Sequence, residues 1–158
     1  MNIYLALKWL HILSATVLFG TGIGTTFFKW MTDRSLDVRA IRIVNQRTVL
    51  ADWLFTTPAI ILQPSTGFGL AYLAGYPLLS GWIIYSLCLY IFAVSCWLPV
   101  VWLQIRMREI SNIADQANAP LPQLYWCYAR IWFWLGVPAF IAFIIVYYLM
   151  VFKPSISM

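Results

Sequence analysis

Residues 2–30 read NIYLALKWLHILSATVLFGTGIGTTFFKW, and this stretch decides the fold. It is apolar over more than the roughly 20 residues that a helix needs to cross the hydrocarbon core of a bilayer. It nevertheless carries Lys8, His11 and Lys29, and His11 is the single histidine of the chain. At about 100° per residue, Lys8, His11, Ala15, Leu18, Gly22, Thr26 and Lys29 form one stripe along such a helix. The stripe is polar at its ends and narrow in its middle. Gly20, Gly22 and Gly24 thin the helix beside it, and small residues let another helix or a flat ligand come close.

The rest of the chain is of the same kind. Of its 158 residues, 63% are hydrophobic and only 9% are Asp, Glu, Lys or Arg, against about 25% charged in soluble domains. Mean hydropathy is +0.81. A water-soluble fold of this size cannot hide that much apolar surface, so the composition predicts an integral membrane protein whose first partner is the lipid bilayer. The net charge of +5 finds no soluble basic face to carry nucleic acid, and no nucleic-acid partner is expected. In a membrane protein such charge is first an orientation signal. No basic segment precedes the first apolar run and no small-residue cleavage site closes it, so it is read as a retained span. Cys88, Cys96 and Cys127 form no CxxC pair and are read as small packing residues.

Four spans are expected within one membrane domain, 1–158, at about 3–28, 51–73, 82–104 and 124–152, with polar loops at 29–50 and 105–123. In the first loop, Asp33 is read as the cap of a short helix, and Arg39, Arg42 and Arg47 mark an amphipathic connector at the membrane surface. The second span holds Pro58, Pro64, Gly67 and Gly69 and is expected to kink or unwind locally. Asp52, Thr56, Ala59, Gln63 and Thr66 or Gly67 share one of its faces, which should turn inward. The short segment Gly75–Gly81 makes spans two and three antiparallel neighbours. Gln104 and Arg106 mark the exit of span three into water. Trp126, Trp132 and Trp134 sit where an aromatic belt would lie. Eight basic residues, from Lys29 to Arg130, lie on one side of the bilayer, and only Lys8 and Lys153 on the other. The positive-inside bias then predicts both termini outside and both charged loops in the cytoplasm. The fold class is all-α: a polytopic four-transmembrane-helix bundle, N-out and C-out.

Candidate chemistry follows from the ionisable groups in the spans, each costing roughly 2.5 kcal/mol or more at the centre of a bilayer. His11, in the outer half, has three readings: a haem or metal ligand, a proton carrier, or a hydrogen-bonded packing residue. Lys8, one turn outward, can meet a propionate or another anion, and Gly22 leaves room on the same face. Asp52 and Arg130 lie near the cytoplasmic ends of spans two and four, where a salt bridge would fix helix register or hold an anionic substrate. Together with Gln63 they are the substrate-binding or structural polar candidates. One histidine, no cysteine cluster and no paired carboxylates exclude a di-iron or zinc centre. The chain also lacks a Ser-His-Asp set and a phosphate loop. Bis-histidine haem ligation within one chain is excluded, so a sixth ligand would come from a Met, a Lys or a second subunit.

Four stretches carry a family resemblance: LKWLHILSATVLFGTGIGT (7–25), ADWLFTTPAIILQPSTG (51–67), WLPVVWLQIRMR (97–108) and YARIWFWLGVPAFIAFIIVYYLMVFKP (128–154). Their order resembles a bacterial family of small four-span inner-membrane proteins of unknown function. More loosely, it resembles the HemJ-type membrane protoporphyrinogen oxidases and the CopD-like membrane domains. Lys8 with His11, Thr57-Pro58-Ala59, Arg130, Val137-Pro138 and Lys153-Pro154 look like positions of the HemJ group. That resemblance implies haem b with His11 as the iron ligand, and an oxidoreductase acting on a porphyrinogen in the bacterial inner membrane. The HemJ group usually carries a further histidine near the end of span three, where this chain has Gln104. Two other classes stay open. One is a non-enzymatic subunit or assembly factor within a homodimer or heteromeric membrane complex. The other is a small oligomeric transporter using Asp52, Gln63 and Arg130.

Overall fold

The computed structural model describes residues 2–154, and all regular structure among them is helical. Helix α1 spans Ile3–Ser35, α2 Val38–Ala51, α3 Thr57–Leu73, α4 Gly81–Gln116 and α5 Gln123–Phe152. Between α2 and α3, Asp52–Thr56 form a π turn, so residues 38–73 make one continuous rod. Three helices, α1, α4 and α5, are long and apolar enough to cross a membrane. α2 and α3 are shorter, at 14 and 17 residues.

Local chemistry explains the breaks. Asn2 starts α1 by accepting from the Tyr4 N–H at 3.0 Å. Leu36 ends it in the left-handed region, at φ 58°. Asp37, not Asp33, then caps α2, its carboxylate accepting from Arg39 N at 2.9 Å and Ala40 N at 3.2 Å. This corrects the expected cap. Asp33 still belongs to α1, where Lys29 holds it one turn away. The π turn sits just before Pro58. A proline has no N–H and its ring crowds the carbonyl four residues back, and an extra residue in the turn relieves both defects. The predicted local distortion of span two is this turn, and Pro64 is carried inside α3.

The four rods run up and down. Ser14 meets Gln63 and His11 meets Thr66, so α3 runs antiparallel beside α1. Asn45 meets Ser111 and Arg42 meets Asp115, which sets α2 antiparallel to α4. Trp102 against Tyr128 and Tyr90 against Phe143 set α4 antiparallel to α5. Helices outrun the expected spans at the charged end: α1 continues to Ser35 and α4 to Gln116, so most of the expected loop residues are helical. Gln104, expected at the exit into water, is buried about three turns before the end of this longer α4.

Packing is uneven. The apolar core gathers at the charged end around Ile41, Val100, Leu103, Met107, Tyr125 and Trp132. Towards the other end the bundle separates into two pairs, α1 with α3 and α4 with α5. α3 and α4 are joined by the short link at 74–80, yet they do not pack along their lengths. Their sequence adjacency is not adjacency in packing, and one hydrogen bond, from the Tyr90 hydroxyl to the Ile60 carbonyl, bridges them. Phe19 of α1 stacks on Phe140 and meets Tyr147 edge-on, spanning the other side.

The glycines of α1 do not close a helix contact. A Cβ on Gly20, Gly22 or Gly24 would meet nothing within 4 Å. Close approach is instead made by α3. A Cβ on Gly67 would lie 3.4 Å from His11 Cε1, and one on Gly69 would lie 3.3 Å from Leu7 Cδ1. Small residues permit contact, but only the faces that meet decide where it happens.

Candidate functional site

Between the two helix pairs lies a cleft of about 1080 Å³, mostly apolar, running from Tyr4, Lys8 and Lys153 down to Asp52, Gln104 and Trp132. Volumes of roughly 300–1,000 Å³ are typical of sites for small molecules and cofactors. The predicted stripe of α1 lines it: Lys8, His11, Ala15, Leu18, Gly22 and Thr26 all face the cleft. The predicted face of span two, Asp52, Thr56, Ala59, Gln63 and Thr66, is buried throughout, as a polar stripe in a membrane helix should be.

Towards the mouth, His11 Nδ1 lies 2.7 Å from Thr66 Oγ1. The Thr66 hydroxyl also lies 2.6 Å from the Leu62 carbonyl. With the Thr66 proton on Leu62, its oxygen accepts from Nδ1 and Nε2 keeps its lone pair; with that proton turned to the ring, Nδ1 accepts and Nε2 carries the hydrogen. Gln63 braces the same turn of α1, donating to the His11 carbonyl at 2.9 Å and to Ser14 Oγ at 2.7 Å. Lys8 is exposed, one turn nearer the mouth.

At the inner end of the cleft the π turn buries Asp52. Its Oδ1 accepts from Thr56 Oγ1 at 2.9 Å, while Oδ2 has no partner. The Asp52–Arg130 salt bridge expected from sequence does not form. Arg130 lies on the exposed face of α5 with Trp134, Ile141 and Tyr148, and the ion pairs among the described residues are Lys29–Asp33, Arg42–Asp115 and Arg106–Glu109. The inward face of α5 is instead that of Tyr125, Trp132, Ala142, Val146 and Leu149. Trp132 thus leaves the expected aromatic belt for the core.

Below the cleft is a polar cluster that sequence reasoning missed. Lys29, only 1% exposed, donates to Asp33 Oδ2 and to the Tyr125 hydroxyl, both at 2.9 Å. The Tyr125 hydroxyl donates to Asp33 Oδ1 at 2.7 Å. Asn45 Nδ2 donates to Tyr125 at 3.1 Å and to Ser111 Oγ at 3.2 Å. The ammonium also stands 5.1 Å and 5.5 Å from the ring centroids of Tyr125 and Trp132. An ammonium withdrawn from water needs a full set of partners, and here it has them. α1, α2, α4 and α5 each contribute a side chain. The i,i+4 spacing of Lys29 and Asp33 was the one sequence signal available. Nothing in the sequence pointed to Tyr125 or Asn45.

Long apolar helices, a polar stripe turned inward on α3 and charge confined to the helix ends define an integral, multi-pass membrane protein of the helical-bundle class. The chain belongs to the family described as "Predicted integral membrane protein (DUF2269)", whose model matches residues 5–154. No curated protein and no solved structure matches it.

Proposed function

We propose that the cleft holds b-haem or a closely related porphyrin, with His11 Nε2 as the protein's ligand to the metal, in a protein of oxidoreductase type. The observation that carries this reading is the 2.7 Å contact that holds His11 Nδ1 on Thr66 Oγ1. Ligating histidines characteristically donate their other ring N–H to an oxygen, which orients the ring and raises the basicity of the ligating nitrogen. Thr66 is placed to do this for His11, its own proton having Leu62 as an alternative acceptor. Apolar walls and a volume of about 1080 Å³ suit a macrocycle. Bound haem would supply one-electron redox chemistry at its iron. The chain's own groups hold and orient it: Gln63 fixes the backbone turn that carries His11, Gly67 leaves room for the imidazole edge, and Lys8 offers an ammonium to a propionate.

The membrane arrangement belongs to the same proposal. α3 pairs with α1 residue by residue, from Leu7 opposite Gly69 to Ser14 opposite Gln63, and so shares the apolar stretch of α1. With the π turn it forms a fourth span. The charged end, with eight basic residues against two, faces the cytoplasm of a bacterial cell, and both termini face the periplasm or exterior.

The test is an absorption spectrum of the detergent-purified protein from haem-replete cells, oxidised and dithionite-reduced. A Soret band with sharp reduced α and β bands is expected, and it should be lost in His11→Ala and shifted in Thr66→Val. A colourless protein, or a band that survives His11→Ala, overturns the reading.

A further inference from the structure

The mouth of the cleft carries two cationic side chains. Lys8 of α1 and Lys153 at the end of α5 come from opposite ends of the sequence, yet both line it and both are exposed. All five acidic side chains lie at or beyond the inner end of the cleft, so none stands near these lysines. The ion pairs among the described residues are Lys29–Asp33, Arg42–Asp115 and Arg106–Glu109, and neither lysine is in them. Lys153 is steadied by a neutral group instead. Its ammonium donates to the Tyr76 hydroxyl at 3.0 Å and stands 4.5 Å from that ring centroid. Two ammonium groups at one opening, with no carboxylate side chain to neutralise them, favour a ligand that brings its own anions.

Two routes through the structure put the lysines at comparable depth. Phe19 stacks on Phe140 and meets Tyr147 edge-on, which sets α1 and α5 in register. Lys8 is 11 residues outward of Phe19, about 16 Å at the helical rise. Lys153 is 6 residues outward of Tyr147 and 13 outward of Phe140, about 9 and 20 Å, which bracket that value. By the other route, Tyr76, the partner of Lys153, donates its N–H to the Ala71 carbonyl at 3.0 Å. Ala71 is two residues beyond Gly69, which faces Leu7. His11 lies one turn inward of Lys8 on the same stripe. A flat ligand seated on His11 therefore has both ammonium groups beyond its outward edge and the aromatic wall of Phe19 and Phe140 below it.

We propose that the mouth is a two-point anion site for a ligand with two carboxylates on one edge, one taken by Lys8 and the other by Lys153, which Tyr76 positions. The inference rests on the haem or porphyrin reading of the cleft and narrows it. The propionate edge of the macrocycle faces outward, and its hydrocarbon edge faces Phe19 and Phe140. A fatty acid offers one carboxylate and leaves one ammonium unanswered.

Titration of the Soret band tests this, using the purified full chain from haem-depleted cells in mild detergent. The probes are hemin, hemin dimethyl ester and, as competitor, palmitate. Hemin should bind about tenfold more tightly than the diester, as two exposed ion pairs allow. Lys8→Met and Lys153→Met should each weaken hemin about threefold and leave the diester unchanged, which also reports that the variants are folded. The double variant should bind both probes equally, while Lys8→Arg and Lys153→Arg keep the preference. Palmitate at equal concentration should not displace hemin. Equal affinity of the wild-type chain for hemin and the diester, or a preference that survives the double variant, would overturn this proposal and leave the haem reading standing. So would a preference untouched by Lys153→Met, or displacement by palmitate. No Soret band with either probe would overturn the haem reading and this proposal together.

Discussion

The two ends of this bundle solve opposite problems. At the charged end four helices converge on one polar cluster, with Lys29 and Tyr125 at its centre and less than 2% of either exposed. At the other end the bundle, with α3 in place of α2, parts into two pairs around a cleft of about 1080 Å³. Protein interiors are packed as densely as organic crystals, and an unfilled gap forfeits the dispersion contacts its walls would have made. A fold selected only for stability would close the cleft. It stays open because the contacts that hold the bundle together are concentrated elsewhere. The lesson is a division of labour: the charged end fixes helix positions, and the other end spends little on cohesion and keeps space.

The sharpest way to break this comparison is to remove the ammonium. Lys29→Met should cost about 3 kcal/mol, since Asp33 and the Tyr125 hydroxyl are left with an uncompensated carboxylate in a largely dry setting. Denaturant or thermal unfolding in detergent reads this directly. A loss under about 1 kcal/mol, the worth of an exposed pair, would mean that the cluster is solvated and that the charged end is not the anchor.

Tyr125→Phe makes a smaller cut in the same place. The ring and its packing stay, while one donor and one acceptor disappear. About 1–2 kcal/mol should be lost, near the upper limit for interhelical hydrogen bonds in membrane proteins. The comparison at the other end is Gln63→Leu, which removes the bridge from α3 to Ser14 and the His11 carbonyl. That change should cost about 0.6 kcal/mol for each of the two bonds, the average for such bonds, and so less than the three bonds lost with the Tyr125 hydroxyl. If Gln63→Leu proved as damaging as Tyr125→Phe, the two ends would be equally anchored.

The sequence carried the helices and the inward faces well. Period and hydropathy located the three long apolar helices α1, α4 and α5, and the stripe from Asp52 to Thr66 is buried as its spacing implied. These signals are local, and one helix suffices to show them. What sequence could not carry was the meeting of faces from different helices. Lys29 read as a topological marker at a helix end, because its charge is visible but its partner Tyr125 lies 96 residues away, and Asn45, which bonds Tyr125 in turn, lies on the next helix. Arg130 read as a partner for Asp52, because both lie at comparable depth, but depth says nothing about rotation. α5 turns Tyr125 and Trp132 inward and leaves Arg130 outside. The glycines of α1 failed for the same reason: they supply room, and the neighbour that would use it is on α3, packed against Leu7 and His11 instead.

The smallest expected effect on stability is also the one that separates packing from function. Gly22 is exposed on the cleft wall, in mid-helix, with nothing within 4 Å of where its Cβ would be. Gly22→Leu should leave the unfolding midpoint unchanged or raise it slightly, since glycine is worse than leucine in a helix interior by about 0.5–1 kcal/mol. The new side chain extends into the space a ligand would use. Stability should therefore hold while the Soret band, or any saturable ligand binding in the cleft, falls. A variant that unfolds as readily as Lys29→Met would show that α1 packs there after all, and the cleft would then be a feature of helix separation and not of recognition. A variant that is both stable and fully competent to bind would move the ligand away from the α1 wall, towards α4 and α5. The two readouts together decide whether the open end is held open for something, which the closed end alone cannot answer.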